Sequence, residues 1–108
     1  MANSYKFLGV TLSTQTETSI LTAGAKDTII IKSIRVTNKT GNTPSISFDV
    51  LDSSNSVEST ILNTQSLAAD SSVEILTMPL ILESSDILKA TVSTNDNVNI
   101  GISYLNIT

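Results

Sequence analysis

Apolar side chains in this chain recur at every second position, and no window sustains the three-to-four spacing of a helix. "KFLGVTL" sets Leu8, Val10 and Leu12 on one face and Phe7 on the other. In "TIIIKSIRVTN" the alternation predicts that Ile30, Ile34 and Val36 share a face, with Lys32, on the same parity, at an exposed strand end or a bulge. "SISFDVLD" turns Ile46, Phe48 and Val50 inward and Ser47 and Asp49 outward. "SSVEILTMPL" turns Val73 and Ile75 inward, and Pro79 should end that strand or confine it to an edge. "DILKATVST" aligns Leu88, Ala90 and Val92; "VNIGISYLNI" aligns Val98, Ile100, Ile102 and Tyr104. "TSIL" and "TILNTQSL" read as short strands. Polar turns separate these runs. "KTGNTPS" is the strongest, since Gly41-Asn42 permits positive φ and Pro44 pre-sets the exit, and "NDN" at 95–97 makes a tight reversal.

Seven or eight such strands without a helix predict an all-β, antiparallel β-sandwich, either immunoglobulin-like or jelly-roll. The 108 residues fit one domain, with residues 1–22 as either an extended arm or the first strand. The chain is rich in Ser and Thr, yet Ile, Leu and Val at sheet spacing exclude a disordered polymer.

A local solution recurs three times. "LTAGAKDTI", "LAADSSVEI" and "LESSDIL" each run from Leu through small or polar residues to an Asp and into a new strand. Asp27, Asp70 and Asp86 are placed to bond nearby backbone amides and close a turn. Glu83 and Asp86 could in principle form an acid–base pair, but on such a corner both are expected to be solvated, with nothing to separate their pKa values. A catalytic pair is not expected in triplicate.

The absence of cysteine and histidine removes the thiolate nucleophile, the disulfide, the commonest metal ligand and the usual neutral-pH base. "LDSSNSVES" offers Asp52, Asn55 and Glu58, but lacks the alternating acids and central Gly of a calcium loop. The four glycines are too dispersed for a phosphate loop. Lys89, outward by parity, reads as a charge that discourages edge pairing rather than as a buried catalytic amine. No cofactor, no metal and no catalytic residue is therefore expected, and the chain is not expected to be an enzyme.

Net charge is −4, and the basic residues Lys6, Lys26, Lys32, Arg35, Lys39 and Lys89 are scattered, which argues against a nucleic-acid partner. No apolar run approaches a bilayer-spanning length, and the first ten residues lack the pattern of a secretion signal, so synthesis in the cytoplasm without processing is expected. The triplets starting at Asn38 and Asn106 are then chance matches to a glycosylation signal. Aromatics are few. Phe48 and Tyr104 fall at inward parity. Tyr5 and Phe7 oppose Leu8 and Val10, so either the first strand is buried on both sides or a ring is offered to a partner; Tyr5 and Phe7 are the candidate contacts.

Four stretches of this chain together resemble a known group. They are Val36-Thr37-Asn38 at a strand end, Ser72-Val73-Glu74-Ile75-Leu76, the corner from Leu82 through Glu83 and Asp86 to Lys89, and Ile102-Ser103-Tyr104-Leu105-Asn106-Ile107. With the alternating strand after Pro44, the pattern over residues 28–108 resembles small β-sandwich virion structural proteins of tailed phages, of the cyanophage and pelagiphage type. The resemblance implies a building block of the virion: a capsid decoration or cement protein, a neck or collar component, or a tail-associated sandwich. It implies other virion structural proteins as partners and repeated copies on the particle. "VTLSTQTETSIL" could then serve as an arm pairing with a neighbour's sheet edge. The alternative is a receptor- or glycan-binding module of a tail or fibre, for which a concave aromatic or polar cluster is expected.

Overall fold

The chain passes back and forth between two antiparallel sheets, staying in one sheet from β4 to β5 and from β6 to β7. The computed structural model describes residues 3–13, 15–76 and 78–108, so positions 1, 2 and 14 of the expected arm and position 77 lie outside it. The strands are β1 (Asn3–Leu12), β2 (Thr18–Thr22), β3 (Thr28–Asn38), β4 (Ser45–Asp52), β5 (Val57–Ser66), β6 (Ser71–Glu74), β7 (Leu80–Leu82), β8 (Ile87–Val92) and β9 (Val98–Ile107). One sheet runs β1-β9-β3-β6, with β7 also paired to β3; the other runs β2-β8-β4-β5. Counting β6 and β7 as one interrupted strand gives eight, in the order of a jelly roll. The strand expected across 71–80 stops at Glu74, and Pro79, which has no N–H to give a ladder, precedes its resumption at Leu80.

The expected alternation builds the core. Ile46 and Phe48 of β4, Leu88 and Val92 of β8, and Val98 and Ile102 of β9 are fully buried. Val10 of β1 and Tyr104 of β9 pack against that core while partly exposed. Tyr104 is thus a rim residue rather than a central one.

β3 departs from the expected phase. Ile29 and Ile31 are buried before Lys32; Ile34 and Val36 are buried after it. Against β9, Ile31 faces Tyr104 and Ser33 faces Ser103, so Lys32 is an extra, unpaired residue. This bulge reverses the parity and puts Ile30 on the outer face, where unbroken alternation had placed it inside. The gap between β6 and β7 lies alongside. There the Glu74 carboxylate substitutes for a strand, accepting hydrogen bonds from the Ile34 N–H (2.8 Å) and the Ser33 hydroxyl (2.6 Å).

Turns are closed by side chains. Gly41 does not take positive φ. Asn38, fully buried, organises that turn instead. Its Oδ1 accepts from the Thr40 N–H (3.0 Å) and hydroxyl (2.7 Å), and its Nδ2 donates to the carbonyls of Asn42 (2.8 Å) and Ala68 (3.1 Å). An amide so engaged is closed to glycosylation.

Phe48, facing Leu62 and Ala90 on its neighbours, is the largest fully buried side chain. Phe48→Ala should cost roughly 3–5 kcal/mol through lost transfer energy and a residual cavity. Urea unfolding of both proteins checks this; an unchanged midpoint would refute the core assignment.

Candidate interaction face

The outer face of the β1-containing sheet carries an apolar row. Tyr5 faces Leu105, Leu105 faces Ile30, and Ile30 faces Ile81, across β1, β9, β3 and β7. Residues directly opposite in a ladder share a face. Tyr5 is 80% exposed and Ile81 58%. The next row holds Phe7, 71% exposed, opposite Ser103. Both candidate contacts therefore project outward on one face. The alternation places Ile30 inside and gives Leu105 and Ile81 no outward role; the signal was present in "TIII" and "LIL", whose runs are apolar at both parities.

Beside this row lies a shallow trough of about 410 Å³, bounded by Phe7, Thr11, Ser33, Arg35, Thr37, Asn99 and Ser103. That volume lies within the roughly 300–1,000 Å³ of small-molecule clefts. Its floor is the cross-strand pair Gly9 and Gly101. The Phe7 ring leans onto that floor: a Cβ on Gly101 would stand 3.1 Å from two ring carbons. A side chain at Gly101 would push the exposed ring aside by a few tenths of an ångström, whereas glycine lets the ring pack on the strand and restores the contact its missing side chain forgoes. Arg35, opposite Gly101, is exposed and has no ion-pair partner among the described residues.

The Glu83–Asp86 corner is a staple. Asp86 is 5% exposed, not solvated as expected, whereas Glu83 is exposed. The Asp86 carboxylate accepts from the backbone N–H of Glu83 (2.9 Å) and of Ser53 (3.0 Å), and from the Ser53 hydroxyl (3.3 Å). Backbone bonds from Ala23 to Asp86 and from Ser85 to Ala23 tie in the β2–β3 connection. Asp27 repeats part of this design: its N–H reaches Gly24, and its carboxylate fills the space where a Gly24 side chain would stand. Asp70 differs, with φ of 51° and its N–H on the Thr40 carbonyl.

Asp52, Asn55 and Glu58 do not converge. Asp52 is taken by the Ser54 hydroxyl (2.8 Å) and the Asn55 amide (3.0 Å), which in that order hold its carboxyl below the usual range. Glu58 instead gathers with Glu17 and Asp49 on the outer face of the second sheet. Lys89 reaches Glu58 (3.5 Å) and Glu17 (3.8 Å). Its strand is central, between β2 and β4, so Lys89 balances carboxylates rather than guarding an edge. A hydrogen bond with Asp49, followed by desolvation and repulsion from Glu58, pushes Glu17 from 4.5 up to about 7.

Asp86→Asn should lose about 1–3 kcal/mol, because one backbone donor loses its acceptor, whereas Glu83→Gln should unfold as the parent does. Equal denaturation midpoints for the two variants would refute the staple. For Glu17, a folded-state pKa raised to about 7 means a contribution present below pH 4.5 and lost as pH rises through 7. Glu17→Gln should therefore gain melting temperature relative to the parent across that window. A difference constant with pH would contradict it.

No protein-family model matches the chain, and no curated protein matches it. Solved structures share its fold. A chain from Bacillus endospore appendages, described as disulfide-linked pili, aligns with a TM-score of 0.56 at 10% identity, covering 97% of this chain and 84% of that one. The Drosophila NLP core, described in terms of pentamer formation and histone binding, aligns at 0.53 and 20% identity, covering 95% and 99%. A chain of infectious bursal disease virus, Gt strain, aligns at 0.50 and 10% identity; 96% of this chain matches 32% of that one. The chain is similar to all three in being a β-sandwich.

Proposed function

We propose that this chain is a non-enzymatic structural subunit of a tailed-phage virion, a capsid decoration or cement protein or a neck-collar component, assembling through β-edge and surface contacts. The carrying observation is the outward row Tyr5–Leu105–Ile30–Ile81, with Phe7 beside it. Tyr5, Phe7 and Ile81 are exposed and the Leu105 and Ile30 between them half-buried, and such an outward apolar row marks a surface that another protein covers. Much of the polar chemistry is internal: Asp86 staples loops, Glu74 completes a strand, and Lys89 is shared between two carboxylates. The likeness to proteins of a virus and of pili fits such a role, as does the resemblance of residues 28–108 to phage virion sandwiches. Many copies at symmetric positions make modest contacts sufficient.

The trough favours a second reading, a glycan-binding module, because Phe7, Arg35 and a border of hydroxyls surround a glycine floor. Co-sedimentation with tailed-phage particles, set beside binding to a panel of oligosaccharides, separates the two. Attachment to particles without sugar binding is expected. Sugar binding abolished by Phe7→Ala, without particle attachment, would replace the structural reading with the second one.

A further inference from the structure

We infer that β1 pairs antiparallel with β1 of a second copy of this chain, about a twofold axis through Phe7, joining two sheets into one. The inference deepens the assembly reading above and rests on it for its biological setting, not for its geometry.

Among the described residues, β1 is the one sandwich edge that is both long and regular. All ten of its residues register with β9 without a shift. On the far side of the same sheet, β6 and β7 have four and three residues and are separated by Pro79. In the second sheet, β2 is five residues with a register shift, and β5 shifts twice against β4, with Thr64 at a φ of 72°. Short, bulged and proline-interrupted edges resist pairing; a straight one offers an unbroken row of donors and acceptors.

Charge admits an identical partner at β1 more readily than at the other edges. The chain carries −4, yet no acidic residue precedes Glu17, and β1 has Lys6 as its single charge. Carboxylates lie at the other edges: Glu17 beside β2, Glu58 in β5, Glu74 in β6 and Glu83 after β7. Two acidic copies meet without carboxylate repulsion at β1.

Parity then limits the register. Opposed residues must share a face, so the axis passes through a residue and not between two. An axis at Lys6 would set two ammonium groups side by side, and one at Leu8 would separate the Phe7 rings. An axis at Phe7 sets the two Phe7 residues opposite each other, a favourable cross-strand pair, and Lys6 against Leu8. It also places Tyr5 opposite Gly9 of the second copy. That glycine is the floor of the trough, in the row containing Arg35. The most exposed aromatic of one copy thereby comes alongside the Phe7 ring that lies over Gly9 in the other, a second aromatic contact across the seam.

Light scattering over a dilution series should give twice the chain mass. The protein has no cysteine, so Phe7→Cys should link into a covalent dimer on mild oxidation, whereas Met78→Cys, equally exposed but remote from β1, should not. Phe7→Lys, with its melting temperature retained, should be monomeric. A monomeric parent, or linking through Met78→Cys as readily as through Phe7→Cys, overturns the pairing. A monomeric parent whose particle attachment is abolished by Phe7→Lys assigns the edge to a different chain and likewise overturns it. A monomer that still attaches to particles removes the pairing and leaves the virion reading; a dimer that attaches to none does the reverse.

Discussion

The unpaired Lys32 in β3 sets the layout of the first sheet. β3 contacts β9, β6 and β7, and it must supply buried isoleucine or valine along its length. A single charged residue within an apolar run would bury an ammonium group if the ladder stayed regular, which is costly. Looping that residue out keeps Ile29 and Ile31 inside before it and Ile34 and Val36 inside after it. The outward position of Ile30, and hence the four-strand apolar row, follows from the same insertion. Core and contact surface are thus two consequences of one local irregularity.

Where the ladders end, polar side chains supply the missing partners. Glu74 does so for the amide of Ile34, Asp86 for those of Glu83 and Ser53, and Asn38 for the turn around Gly41. Each fills a position that backbone or water would otherwise have to occupy, and a buried group left unmade is costly. In a chain without disulfides, these junctions hold loops from distant parts of the sequence in register.

The strands were legible because side-chain direction alternates whatever the neighbouring strand is. Ile46, Phe48 and Val50 could be placed inside on that rule alone. Lys32 announced a bulge, but the change of phase it causes requires counting from both ends of β3. Strand order was not legible, since it depends on pairings far apart in sequence. For that reason Lys89 reads from sequence as an edge residue, and the meeting of Glu17, Asp49 and Glu58 has no signature there. Burial of Asp86 was hidden likewise, because Ser53, which covers it, approaches from another loop. Tyr5 and Phe7 were visible as candidates; the row and the trough they belong to needed three-dimensional neighbours.

β9 lies between β1 and β3, yet it is the last strand of the sandwich to leave the ribosome. Of the strands that pair directly, only β4 and β5 are consecutive in the chain. Loop-closure entropy must therefore be met before most contacts form, which slows folding of such topologies. During translation β1 waits for its central neighbour through nearly the whole chain, with two free edges instead of one. Timing, as much as equilibrium stability, then governs whether nascent copies mature singly or entangle.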